Sequence, residues 1–107
     1  MIRKLRKKLG PVDLYVQLME ESAELTQAAS KYLRACEFLN NPTPVSAFEA
    51  RFRLKEEFMD VLCVARLIFP DDEWERLIDI ESYPKFERWL KRIETAEKLK
   101  KETAPKE

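Results

Sequence analysis

Leu14, Leu18, Glu21, Leu25, Ala28, Tyr32 and Cys36 recur in alternating steps of four and three. That period is the stripe of an α-helix packed on other helices. Every position on the stripe except Glu21 carries a residue suited to such a contact. A lone ionised carboxylate on a packed seam is costly unless it is paired or holds a cation. Glu24 stands one turn further on, so both carboxylates project from the same side of the helix. The stretch Glu20-Glu21-Ser22-Ala23-Glu24 therefore needs a chemical explanation, and the rest of the chain is read around it.

The helix carrying this seam is predicted to begin near Val12 or Asp13 and to run to about Leu39. Asn40-Asn41-Pro42-Thr43-Pro44 would stop it. A second long helix is predicted from Val45 or Ser46, with Ser46 able to cap it, to Phe69, where Pro70 ends it. Its first half is amphipathic, with Phe48, Phe52 and Leu54 among charges. Its second half, Phe58 to Phe69, is apolar nearly all round, and a helix of that kind must be covered on every face. One short domain offers too little cover, so this half is expected in a subunit interface as well as in the core. Glu57 and Asp60 form a second acidic pair. At 1.5 Å per residue both acidic pairs lie roughly 20–25 Å from the connecting turn. An antiparallel hairpin would bring all four carboxylates to one level.

Only Gly10 is a glycine in the 107 residues, and this scarcity disfavours β-rich folds, which need glycine at turns and bulges. The expectation is a single all-α domain of helical hairpin or bundle type, completed by oligomerisation. Residues 1–11 carry Arg3, Lys4, Arg6, Lys7 and Lys8 and read as a solvated basic arm or a short helix. After Pro70, a short helix to about Ile80 would bury Trp74, Leu77 and Ile78. Ser82-Tyr83-Pro84 begins a last helix with an apolar stripe of Phe86, Trp89, Leu90, Ile93 and Ala96. The polar tail 100–107 is expected to fray.

The chain has no histidine, which removes Ser-His-Asp and Cys-His chemistry and the Glu-x-x-His pairs of di-iron bundles. Cys36 and Cys63 match no zinc or redox spacing and read as small core residues. A net charge of zero supplies no general attraction to nucleic acid or membrane. The apolar runs are too short to span a bilayer and are broken by Asp60 and Arg66. With no secretory signal pattern at the start, a cytoplasmic setting is expected.

Four carboxylates without histidine form a hard, all-oxygen donor set, which suits Mg²⁺ or Mn²⁺. Magnesium is commonly shared with substrate phosphates, so a phosphorylated substrate is the natural partner. Lys31 lies two turns beyond Glu24 on the same face and Arg34 another turn on; both are candidates for phosphate oxygens. The structural alternatives are solvated acidic faces, or a buried ion-pair network with Arg53, Lys55 or Arg66. The aromatics Phe48, Phe52, Phe58, Trp74, Tyr83 and Trp89 read first as core, although one or two could stack on a base.

Leu18-Met19-Glu20-Glu21-Ser22-Ala23-Glu24-Leu25-Thr26-Gln27-Ala28, then Lys31, then Lys55-Glu56-Glu57-Phe58-Met59-Asp60-Val61, resemble the all-alpha nucleoside triphosphate pyrophosphatases. This MazG-like superfamily also contains dimeric dUTPases and dCTP pyrophosphatases. The likeness covers roughly residues 14–69. It implies magnesium-dependent hydrolysis of a (deoxy)nucleoside triphosphate to the monophosphate and pyrophosphate, a nucleotide-pool cleaning role, and a homodimer or homotetramer. Carried over by position, Glu21, Glu24, Glu57 and Asp60 are the metal ligands, and Glu20 and Glu21 are the catalytic candidates. Lys31 matches a basic position near the phosphates. Lys85 and Arg92 loosely match a later phosphate-binding pattern, with Trp89 where asparagine is expected. The segment between the two motifs is long for the family. The contrasting expectation is a non-catalytic interaction or nucleotide-binding module whose acids form salt bridges.

Overall fold

The computed structural model describes residues 1–105. Every regular element among them is helical, in agreement with the all-α expectation. The chain divides into two compact units, Met1–Pro70 and the segment from Asp71 onward. No helix among the described residues is long and apolar enough to cross a membrane.

The first unit contains α1 (Ile2–Lys8), α2 (Pro11–Ala35) and α3 (Ala47–Ile68). Helix α2 starts with Pro11 in its first turn, where the missing amide donor costs nothing. Helix α3 starts at Ser46, whose hydroxyl accepts a hydrogen bond from the Glu49 amide at 3.1 Å. It stops where Phe69, preceding Pro70, turns extended, as the proline ring requires. The two long helices form an antiparallel hairpin. The start of α2 and the end of α3, represented by Leu14 and Ile68, line one cavity, whereas Lys31 and Ala50 line another. Tyr32 and Arg51 meet near the loop, with the guanidinium 6.0 Å from the ring centroid.

Every residue of the predicted α2 seam, Leu14, Leu18, Glu21, Leu25, Ala28, Tyr32 and Cys36, is buried or half-buried. The matching seam on α3 is Ala50, Leu54, Glu57, Val61, Val64 and Ile68, again in steps of four and three. Leu14, Ala28, Ala50 and Val64 are its most enclosed residues. The aromatics expected in the core stand elsewhere: Phe48, Phe52, Phe58, Tyr83 and Trp89 are exposed, Phe48 by 86%. Among them only Trp74 is half-buried. The helices pack along a single line, which on α3 runs through Ala50 and Leu54, and Phe48 and Phe52 lie off it.

Helix α2 ends at Ala35, four residues before the predicted stop. The Asn-Pro stretch does not end it; a Schellman motif does. Glu37 adopts the left-handed conformation with φ 62°. Its amide donates to the Arg34 carbonyl at 3.1 Å, and the Phe38 amide donates to the Leu33 carbonyl at 3.2 Å. Glycine usually fills this position, since a Cβ there is crowded by the carbonyl oxygen. Glu37→Gly is therefore expected to raise stability by about 1 kcal/mol. A urea titration monitored by circular dichroism measures it; a lower midpoint in the variant would show that the turn is unstrained.

The basic arm is a short helix fastened to the hairpin. Arg6 is half-buried and caps the carboxyl end of α3. Its Nε donates to the Leu67 carbonyl at 3.1 Å, and its Nη2 donates to the Arg66 and Phe69 carbonyls at 2.9 and 3.0 Å. The last carbonyls of a helix lack intrahelical donors and carry partial negative charge, so a guanidinium satisfies them in both respects.

The second unit contains α4 (Asp71–Arg76), a π-helical turn over Leu77–Glu81, and α5 (Tyr83–Thr103). Asp71, Asp72 and Glu73 fill the first turn of α4, where the helix dipole favours them. Trp74 and Leu77 are half-buried as expected, but Ile78 is exposed by 50%. Helix α5 continues to Thr103, a full turn past the expected fraying point at Leu99. Ala104 turns extended and Pro105 is non-helical, and Lys106 and Glu107 lie outside the described residues. The stripe of Phe86, Trp89, Leu90, Ile93 and Ala96 is exposed along its whole length.

Candidate metal centre

The acidic pairs of the two long helices meet where the hairpin register places them. Along α2, Glu21 lies about 21 Å from the helix end and Glu24 about 16 Å; along α3, Glu57 lies about 15 Å from the start and Asp60 about 20 Å. Glu21 therefore faces the Glu57–Asp60 turn. One carboxylate oxygen from each of Glu21, Glu57 and Asp60 falls within 4.8 Å of the others. Glu24 stands outside this trio. It lines an adjoining cavity together with Glu57.

Glu21 and Glu57 occupy the packed seams and are half-buried, whereas Asp60 is exposed. Along the chain Asp60 interrupts a run of apolar neighbours. In three dimensions those neighbours spread round the helix, and Glu57 is the acid on the contact line. Gln17, one turn before Glu21, donates from its side-chain nitrogen to Glu21 Oε1 at 2.7 Å and holds that carboxylate in place. The other oxygen, Glu21 Oε2, is buried without a hydrogen-bond partner, as is Glu57 Oε2. A buried acceptor left unsatisfied costs about 1–3 kcal/mol, and more when it is charged.

Two orphaned carboxylate oxygens beside a third carboxylate suit a hard divalent cation. Glu21, Glu57 and Asp60 would hold it, with waters or substrate oxygens completing the coordination, as Mg²⁺ prefers. The acids are not drawn into a network through Arg53, which pairs instead with Glu49, one turn toward the loop, at 2.8 Å.

The adjoining cavity, about 310 Å³, lies between α2 and α3 on the loop side of the acids. Glu24, Gln27 and Lys31 line it from α2, and Arg53 and Glu57 from α3, over a floor of Ala28, Ala50 and Val45. Ala28 and Ala50 are both buried, and their small side chains leave the space open. Lys31 thus stands beside the acids, as its spacing suggested. Arg34 does not line the cavity; its Nε is buried without a hydrogen-bond partner. Glu20 is exposed on α2, and Lys85 and Arg92 are exposed on α5 in the second unit. Sequence reasoning passed over Gln17 and Gln27, and it weighed Arg53 only as a salt-bridge partner. The available signal was helical spacing: Gln17 and Arg53 each precede a seam glutamate by four residues.

Comparison of the chain with protein-family models, curated proteins and solved structures finds no match.

Proposed function

We propose that the hairpin is a magnesium-dependent nucleoside triphosphate pyrophosphohydrolase of the all-alpha, MazG-like kind. The observation that supports this most directly is the meeting of Glu21, Glu57 and Asp60 across two helices, with buried oxygens of Glu21 and Glu57 left unpartnered. A cavity large enough for part of a nucleotide opens beside them and carries Lys31 and Arg53.

In the proposed reaction a water adds to a phosphorus of the triphosphate, the bridging P–O bond breaks, and the monophosphate and pyrophosphate separate. Bound Mg²⁺ would supply charge neutralisation of the phosphates and a more acidic water. Glu21, Glu57 and Asp60 would hold the cation, and Glu24, at the cavity edge, would take a further ligand position or orient the water. Glu20, exposed on α2 one turn before Glu24, lies outside the carboxylate trio and the cavity lining. Lys31 meets charge building on the departing phosphates. The role is removal of unwanted nucleotides in the cytoplasm.

The proposal includes a homodimer or homotetramer. A two-helix hairpin buries little by itself, and Phe58 and Met59 on α3 remain more than half exposed. The same exposed apolar surface is what favours the competing reading, an interaction module without catalysis. Incubating the protein with a panel of nucleoside and deoxynucleoside triphosphates separates the two. Pyrophosphate release that requires Mg²⁺ or Mn²⁺ is the expected result. No release from any member of the panel sinks the enzyme reading.

A further inference from the structure

The cavity beside the acids is divided by charge. Glu24 and Glu57 bound one end, next to the carboxylate trio, while Lys31 from α2 and Arg53 from α3 bring two cations to its walls. Gln27 and Ala28 lie between them on α2, with Ala50 and Val45 toward the loop, so Gln27 adds one uncharged polar side chain to the lining. A ligand filling this space meets cation-holding carboxylates at one end and fixed positive charge further along. A short polyphosphate has the complementary form, with one phosphate shared with a divalent cation and the next within reach of the two basic side chains.

Arg53 is not idle in the unliganded protein. Its Nη2 donates to Glu49 Oε1 at 2.8 Å, and both side chains are about half exposed, at 55% and 51%. An exposed ion pair one helical turn apart is weak and easily exchanged. Glu49 also has an alternative partner. Ser46-Ala47-Phe48-Glu49 has the form of a capping box, in which the serine takes the amide of the third helical residue and that residue's carboxylate returns to the serine amide. Only the first half is made here: the Glu49 amide donates to Ser46 Oγ, while the Glu49 carboxylate is turned to Arg53. Release of Arg53 would let Glu49 complete the box, so little is lost when the pair separates.

We propose that Arg53 is a polyphosphate-binding residue held in reserve by Glu49, and that ligand phosphate displaces the Glu49 carboxylate from the guanidinium. The ligand class is a di- or triphosphate; a monophosphate spans too little to engage both ends. This rests on the proposed cation site of Glu21, Glu57 and Asp60, while the nucleotide enters only as the identity of what the phosphates are attached to.

The test measures binding of inorganic pyrophosphate in the presence of Mg²⁺, by titration calorimetry on the full chain. Arg53→Gln is expected to weaken binding about tenfold, as loss of a charged phosphate contact does. Lys55→Gln, an equal charge change on α3 away from the cavity lining, should alter it less than about twofold. Glu49→Gln keeps a side chain able to complete the capping box but gives up the ion pair, and should tighten binding about threefold. Combined with Arg53→Gln, it should add nothing, because Glu49 acts through Arg53 alone. Equal effects of Arg53→Gln and Lys55→Gln, or a Glu49→Gln gain that persists without Arg53, overturn the proposal. So does a wild-type protein that does not bind pyrophosphate. Arg53-dependent pyrophosphate binding without turnover of any nucleotide would remove the enzyme reading and leave this one standing. Turnover with an unchanged KM in Arg53→Gln would do the reverse.

Discussion

Glu57→Gln is expected to lower magnesium-dependent nucleotide hydrolysis by at least about a hundredfold while leaving the helical content unchanged. Glutamine keeps the size and the helix propensity of glutamate, so the α3 seam still packs. What disappears is one charge of the trio formed with Glu21 and Asp60, whose oxygens lie within 4.8 Å of one another. Without metal, that charge is a liability, because three like charges converge where Glu21 Oε2 and Glu57 Oε2 are already unpartnered. The variant should therefore melt at or above the wild-type temperature in a chelating buffer. Addition of Mg²⁺ should reverse the order, since a cation that binds only the folded state stabilises it by mass action. The paired measurement is a thermal melt with and without Mg²⁺ alongside a pyrophosphate assay. Full activity in Glu57→Gln, or an equal Mg²⁺ shift in both proteins, would remove Glu57 from the metal site.

Arg6→Ala should produce the largest loss of stability of any change to the basic amino-terminal segment, about 2 kcal/mol. Three hydrogen bonds, to the carbonyls of Arg66, Leu67 and Phe69, vanish together. They would leave the end of α3 without its cap and α1 without its polar anchor. Water can replace part of the lost bonding because the site is only half-buried, which keeps the figure below the sum of three charged hydrogen bonds. Arg6→Lys retains the charge but not the planar fork that reaches several carbonyls at once, so it should recover only part of the difference. Lys7→Ala, one residue along on an exposed position, should move the unfolding midpoint little. Urea titration of the three variants decides the matter. If Arg6→Ala unfolds with the wild type, the cap contributes nothing to stability.

The contrast between Arg6 and its neighbours shows where sequence reading loses its grip. Five cations crowd the first eight residues, and nothing local distinguishes the one whose guanidinium reaches α3 about sixty residues away. The same limit applies to the aromatics. Hydrophobicity suggested that Phe48 and Phe52 were buried, but burial follows from which side of α3 meets α2, and the α3 seam runs through Ala50, Leu54 and Glu57. The early end of α2 was hidden for a different reason. A Schellman turn is normally marked by glycine, and here Glu37 takes the left-handed position.

The α2 seam was legible because helical periodicity is a local property. A charge falling on that stripe is unusual whatever the stripe packs against, so Glu21 stood out before any partner was known. The hairpin register was likewise implied by two helix lengths and a proline-rich connection. Only the tertiary structure decided which acids share a site. It joined Glu21 to Glu57 and Asp60, set Glu24 at the edge of the neighbouring cavity, and turned Arg53 toward Glu49. Those outcomes depend on the rotation of each helix about its own axis and on side-chain rotamers. Both are set by the packing of one helix on another, which no single stretch of sequence contains.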